Sequence, residues 1–165
     1  MIDPNMINLT LIISILIVLL VILTIYLGIK IVPQSKVFVI ERFGRYSRTL
    51  NAGLSIIVPY LDSVAHRVDI LERQLTSQKI SVITKDNVEV ELETSVFYRV
   101  LDAAKSVYRI SNIDQALTTE TAAVVRSAAG KLELDELQSS RDKMNAEIAD
   151  TLSPSAKEWG IEITR

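Results

Sequence analysis

The sequence predicts an α+β protein tied to a membrane by a single N-terminal helix, with a β-rich first lobe and a mixed α/β second lobe. Three observations carry that expectation. The run Leu9–Leu27 has no charged residue and has Leu, Ile or Val at 15 of its 19 positions. From Lys36 to Val100 the chain is rich in β-branched residues, and its clearest stretch alternates with a period of two. Beyond Asp102 the apolar spacing changes to three and four, the period of a helix. Strands first and helices later is an α+β order, not that of a doubly wound sheet.

The apolar run is the first element. Extended to Ile7 and Ile31, it crosses a hydrocarbon core of ~30 Å at roughly 1.5 Å per residue. Its fifteen aliphatic residues contribute about −0.3 to −0.6 kcal/mol each on the insertion scale, roughly −5 to −9 kcal/mol together. Thr10, Ser14, Thr24 and Tyr26 subtract a little. A backbone in lipid has to satisfy its own hydrogen bonds, so β-branching does not prevent a helix. Leu9, Ile13, Leu16, Leu20, Leu23 and Leu27 are the expected anchor residues. A cleaved signal peptide fits less well. The head Met1–Asn8 carries Asp3 and no basic residue, the run exceeds the usual ~7–15 residues, and no small-x-small site follows. A buried core helix is rarely apolar all round over such a length. Residues 1–30 are therefore expected to be an anchor, and 31–165 one folded domain large enough for its own core.

Charge and composition exclude several functions. All 18 Lys and Arg follow Gly28, as do 19 of the 20 Asp and Glu. That near-balance is no electrostatic footprint for nucleic acid. The absence of cysteine excludes disulfides, thiolate metal sites, Cys nucleophiles and S-palmitoylation, and Ile2 excludes N-myristoylation. Lys30, Lys36, Arg42, Arg45 and Arg48 follow the helix with only Glu41 opposing, and no basic side chain precedes it. The positive-inside rule then places the N-terminus outside and the folded domain in the cytoplasm.

Pro33 ends the helix exit and biases Val32 to an extended conformation. Lys36–Arg42 reads as a strand, Phe43–Tyr46 as a Gly-containing turn, and Ser47–Leu50 as the return. Asn51-Ala52-Gly53 is a second turn and Leu54–Val58 another strand. Pro59 and Tyr60 follow it; they could dip into the lipid interface, where aromatic rings sit well, or could be a strand end packed on the core. Ser63–Leu75 is extended with imperfect alternation, which points to a bend or bulge. Lys79–Ile83, the turn Thr84–Asn87 and one long strand Val88–Val100 follow. In that strand Val88, Val90, Leu92, Thr94, Val96 and Tyr98 share one face.

Asp102 is a suitable N-cap for Ala103–Tyr108, and Ser111 or Asn112 for Ile113–Ala129. On that second helix Ile113, Ala116, Leu117, Glu120, Val124, Ser127 and Ala128 form the 3–4 stripe, and Gly130 suits a C′ stop. Leu132, Leu134 and Leu137 read as a short apolar link. The last helix starts at Ser139 or Ser140, buries Met144, Ile148 and Leu152, and meets Pro154, where a kink or a restart capped by Ser153 is expected. Trp159-Gly160 ends it, and Ile161–Thr164 begins a strand.

No constellation of catalytic residues emerges. His66 is the single histidine, with no clustered carboxylates or cysteines around it in sequence, and reads as structural. The row Glu89, Glu91, Glu93 has the ~6.5–7 Å spacing of paired carboxylates, but a solvated strand face paired with cations across the sheet accounts for it better. Ser81 and Lys85 are the best nucleophile and base for a membrane-tethered hydrolase, and no third group supports them. Neither catalytic, cofactor-binding nor metal-ligating residues are assigned, and no cofactor is expected.

Several ordered motifs then coincide: VPQ at Val32–Gln34, ERFGRYSRTL at Glu41–Leu50, AGLSIIVPYLD at Ala52–Asp62, ITKDNVEV at Ile83–Val90, RSAAGKLELDEL at Arg126–Leu137, SRDKMN at Ser140–Asn145 and WGIEITR at Trp159–Arg165. Together they resemble the stomatin/prohibitin/flotillin (SPFH, band 7) superfamily, most nearly its bacterial stomatin-like and QmcA-like members. The resemblance covers essentially everything after Lys30. It implies a two-lobed SPFH domain whose first lobe sits at the membrane surface, in a protein that is a scaffold and not an enzyme. It also implies homo-oligomeric rings or cages, lipid microdomains, and partners such as FtsH-type membrane proteases or NfeD-type proteins, hence membrane-protein quality control. A protease adaptor that forms no ring is the alternative. Family members continue past the WGI strand into a long Ala/Glu-rich coiled coil that builds the ring wall. This sequence stops at Arg165, so the expectation is a fragment truncated before the coiled coil or a form lacking the wall. Pro154 also departs from the family pattern, in which the helix usually continues.

Overall fold

The computed structural model describes residues 4–165, with side chains from residue 11 onward. It is α+β, as the residue pattern predicts, and divides into two units, one up to Arg67 and one from Val68.

In the first unit, helix α1 (Pro4–Gly28) passes without a linker residue into strand β1 (Ile29–Val32). Strands β2 (Lys36–Arg42) and β3 (Arg45–Leu50) form a hairpin whose two-residue turn, Phe43-Gly44, has φ of 50° and 74°. Such left-handed values match the twist of the flanking strands and are easy for Gly and strained for Phe. β4 (Gly53–Ile56) pairs with β1, and β5 (Asp62–Asp69) completes a sheet of order β3-β2-β5. Val37–Ile40 are all buried, so β2 is covered on both faces; Phe38, Ile40, Leu50, Ile57 and Val32 form the unit's core. The register of β2 on β3 shifts between Ile40 and Glu41, a bulge.

In the second unit, β6 (Arg73–Gln74), β9 (Phe97–Val100) and β10 (Ile161–Ile163) form an antiparallel sheet of order β10-β9-β6. β7 (Gln78–Ile83) and β8 (Glu89–Thr94) form a separate hairpin. The helices are α2 (Ala103–Tyr108), α3 (Ile113–Ala129), α4 (Leu134–Ser139) and α5 (Arg141–Glu158). One core cluster joins Leu75, Val96, Tyr98, Leu117, Ala156 and Ile161; a second joins Ile80, Val82, Val125, Ala129 and Leu137. Asp102 caps α2 by accepting from the Ala104 and Lys105 amides, and Asn112 caps α3 through the Gln115 amide. Gly160 has φ of 74°, and a Cβ there would lie 2.6 Å from the Asp102 carbonyl oxygen, so only glycine fits.

Five expectations need correcting. The long strand over 88–100 is two, because the chain changes partners at Ser95-Val96, from β7 to β6 and β10. The period of two runs through the break, since Val96, Tyr98 and Val100 are all buried. The link after Gly130 contains helix α4, started by a capping box between Glu133 and Glu136. α5 runs on through Pro154 with no restart; Ser153 caps nothing and donates to the Ala149 carbonyl. The stripe of α3 is rotated: Leu117, Thr121, Val125, Ala128 and Ala129 are buried, and Ser127 is exposed. Gly130 is right-handed, not left-handed, and a Cβ there would make a tight contact, 3.1 Å, with the Arg126 carbonyl oxygen.

Candidate membrane-contact surface

The candidate surface starts at the end of α1. Among the described side chains of the apolar run none is buried, and Ile13, Leu16, Leu20, Leu23 and Leu27 all lie open. Leu9 lies on the helix but outside the residues whose side chains are described. A core helix of a water-soluble protein would be covered by its own fold. Here 6% of the Leu11–Gly28 span is buried, so nothing in this unit covers it.

The helix end is built into the fold. The Ile57 amide donates to the Gly28 carbonyl at 2.8 Å, and a Cβ on Gly28 would meet the Ile57 carbonyl oxygen at 2.9 Å. From there β1 and β4 pair as Ile29 with Ile56, Lys30 with Ser55, Ile31 with Leu54 and Val32 with Gly53. Strand side chains alternate, so Ile29, Ile31, Leu54 and Ile56 share one face. That face is apolar and uncovered: Ile31, Leu54 and Ile56 are 75%, 71% and 69% exposed. The opposite face holds buried Val32.

The loop after β4 adds the exposed Val58, Tyr60 and Leu61. The structure separates the two residues singled out from the sequence. Tyr60 projects, 78% exposed and with φ of 69°; Pro59 is half-buried, with ring atoms 3.6 Å from where a Gly28 Cβ would be. Phe43 at the β2–β3 tip is 79% exposed.

One buried carboxylate ties these parts together. Asp62 accepts from Arg42 Nε at 2.7 Å and from the Val58 amide at 3.1 Å, and Arg48 Nη2 lies 3.9 Å away. Arg48 also donates to the Ile56 carbonyl at 2.6 Å. The Phe43 tip is thus joined through Arg42, Asp62 and Val58 to the segment bonded to Gly28. The Arg42 hydrogen bond, then the Val58 amide, hold the Asp62 carboxyl below the usual carboxylate range against the opposing effect of burial. Asp62 in turn raises Arg42.

The residues weighed for catalysis do not converge. Ser81 Oγ donates to Glu89 at 2.7 Å, while Lys85 faces Glu133 at 3.4 Å. Glu93 accepts from Ser77, and Glu91 lies 3.6 Å from Lys79, so the glutamate row is a solvated face with cross-strand partners. His66 is exposed on β5. Among the described residues no group of three His, Asp or Glu is placed to hold a metal ion. The arrangement offers apolar area beside a membrane-length helix.

Sequence reasoning missed Ile29, Ile31, Leu54, Ile56, Phe43 and Asp62. The alternation at 29–32 and 53–56 is visible, but four residues carry too little periodicity to say which face is outward.

Residues 30–165 match the model of the SPFH domain / Band 7 family. The chain is 35% identical over 138 residues to an uncharacterized protein of Mycobacterium tuberculosis, covering 84% of this chain and 36% of that one. It is 32% identical over 154 residues to an uncharacterized protein of Methanothermobacter thermautotrophicus, 93% of this chain and 48% of the other. It is 33% identical over 137 residues to mitochondrial stomatin-like protein 2 of Rattus norvegicus, 83% of this chain and 39% of the other. The chain therefore spans less than half the length of these relatives.

Proposed function

The chain belongs to the SPFH domain / Band 7 family, and we propose that it is a membrane-anchored scaffold that positions partners at a bilayer and carries out no chemistry. The observation that carries this reading is the seam at Gly28. A removable leader is discarded before the domain is finished, whereas here the carbonyl of the last helical residue accepts the Ile57 amide and the next residue opens a strand. A helix so joined holds the first unit against the membrane with no flexible spacer.

The apolar ribbon face supports the same reading. Ile31, Leu54 and Ile56, the most exposed of the four, forgo up to about 1.5–3 kcal/mol of burial apiece, and a patch of this kind marks an interaction surface. Next to a spanning helix, the lipid interface is the nearest apolar medium. Orientation follows from Lys30, Lys36 and Arg45; Arg42 and Arg48 bond within the fold and count for less. They favour a cytoplasmic folded domain and an outside N-terminus.

Self-association and recruitment of an FtsH-type protease or an NfeD-type protein are the finer parts of the proposal, and family likeness supports them. Solubilisation in mild detergent followed by native mass measurement tests them. A homo-oligomer supports the scaffold. A discrete protease complex without one favours the adaptor, and reproducible turnover of a small molecule by the purified chain overturns both.

A further inference from the structure

The β2–β3 tip carries a charge arrangement that an anchor alone does not need. Between Ile29 and Arg67 six Lys and Arg face two carboxylates, Glu41 and Asp62, whereas from Val68 onward twelve face seventeen. Such asymmetry within one chain points to an anionic partner for its basic part. Orientation in a membrane depends on how many basic residues flank the helix, not on how they are grouped. In this unit they are grouped. Arg42 and Arg45 stand directly opposite each other across the Phe43-Gly44 turn, and such a like-charge pair costs stability unless an anion offsets it. Asp62 lies 2.7 Å from Arg42 Nε and 3.9 Å from Arg48 Nη2, so two guanidiniums share one buried carboxylate. Glu41 points to the opposite face of β2 from Arg42. The Arg45 side chain is exposed and has no partner among the described residues.

Two aromatic rings flank this cluster. Phe43 follows Arg42 and Tyr60 precedes Asp62 by two residues, so the Arg42–Asp62 pair holds both beside one ion pair. Both residues have left-handed φ, 50° and 69°, where a bulky side chain is strained. Among the described residues the third non-Gly position with such a φ is Asn87, an ordinary occupant of that region. Phe43 and Tyr60 nonetheless project, 79% and 78% exposed. Strain kept at an exposed ring points to an external partner. Arg48 ties the cluster to the apolar ribbon by donating to the Ile56 carbonyl at 2.6 Å, and the ribbon continues α1 without a linker.

We propose that this tip is a recognition site for anionic phospholipid headgroups. Phosphate oxygens accept from the guanidinium donors of Arg42, Arg45 and Arg48 that Asp62 and the Ile56 carbonyl leave free, while Phe43 and Tyr60 sit at headgroup level. The inference rests on the membrane-anchored reading above and adds the class of lipid. A free phosphate offsets the arginines but gives the two rings nothing. An acidic protein face also offsets them, but it leaves Ile31, Leu54 and Ile56 in water. A bilayer that begins where α1 ends supplies the anion and the apolar medium together.

The test uses the whole chain in phosphatidylcholine bilayers with a minor share of phosphatidylglycerol, bromine being carried by the acyl chains of one lipid or the other. In a W159F background, F43W and Y60W report on the lipid at the tip, and L19W, within α1, reports on the bulk bilayer. At L19W quenching is expected to follow the mole fraction of each lipid. At F43W and Y60W phosphatidylglycerol is expected to be enriched about fivefold over its mole fraction, the worth of one basic residue at an anionic surface. R45Q, which breaks no side-chain bond among the described residues, is expected to lower the enrichment, and R45Q with R48Q to bring it to parity. Added NaCl is expected to weaken it by screening, and sodium phosphate of equal ionic strength to do no more than NaCl. Parity with all three arginines present, or enrichment that R45Q and R48Q together leave intact, overturns the proposal. So does stronger displacement by phosphate, which would make the occupant a free anion. Quenching at L19W with none at F43W and Y60W also overturns it and gives the face to a protein partner. Loss of quenching at L19W as well overturns the anchor itself, so the two failures are told apart.

Discussion

The β1–β4 ribbon and the β7–β8 hairpin have the same local architecture and opposite outer faces. Each is a two-stranded antiparallel pair with one side against a core and one side open. The outer face of β1–β4 is Ile29, Ile31, Leu54 and Ile56. That of β7–β8 is Lys79 and Ser81 against Glu89, Glu91 and Glu93, with Ile83 at its end. Strand geometry is indifferent to which solvent a face meets; side-chain transfer free energy is not. On the function proposed above, the difference maps the surroundings: lipid interface for the first face, water for the second.

The largest way to break this contrast is to remove the anchor. I17R combined with L20R places two charges near the bilayer centre at about 2.5–3.5 kcal/mol each on the insertion scale, which offsets most of the gain from the aliphatic run. The double variant is expected in the soluble fraction after flotation or carbonate washing. Retention in the membrane pellet would refute the anchor.

A sharper version compares the faces directly. In a W159F background, a single Trp at Ile31 is expected to emit at shorter wavelength in liposomes and to be quenched by brominated lipids. A single Trp at Ser81 is expected to do neither. Equal quenching would erase the distinction.

The two units should also fail at opposite ends of the pH scale. The depressed Asp62 carboxyl stabilises the first unit fully above the unfolded value of about 3.9, and that contribution is lost as the pH falls through its lower folded value. D62N should flatten the acid limb of a plot of Tm against pH. In the second unit Tyr98, buried and bonded to Asp114, is pushed up to about 12. Its contribution is complete below about pH 10, the unfolded value, and disappears between there and the folded value, so Y98F should flatten the alkaline limb. The smallest effect belongs to the charged ribbon. E91Q loosens an exposed pair with Lys79, and denaturant melts should move by no more than about 0.5 kcal/mol.

Much of the fold was legible because its signals are local. The Asp102 cap needs only the amides two and three residues on, and the hairpin over 78–94 follows from alternation around a polar turn. Helix α4 was missed although its Glu133–Glu136 box is local, because three leucines over so short a stretch also suit an extended link. The break at Ser95-Val96 was not legible, since a period of two looks the same on either side of a change of partner. The buried stripe of α3 was missed for a related reason: the spacing allows two stripes about one position apart, and only packing on α5 and β7 selects one.

By itself the sequence determined the helix of the apolar run, the passage from a strand-rich part to a helical one, and the Asp102 and Asn112 caps, because each is decided by hydrogen bonds and transfer energies within a few consecutive residues. Only the tertiary structure decided that Ile29 and Ile31 stand beside Ile56 and Leu54 on an open face, and that Asp62 lies under Arg42. Those residues are some twenty or more positions apart, and pairing register, which sets the side on which every strand residue emerges, exists only once both strands are in place.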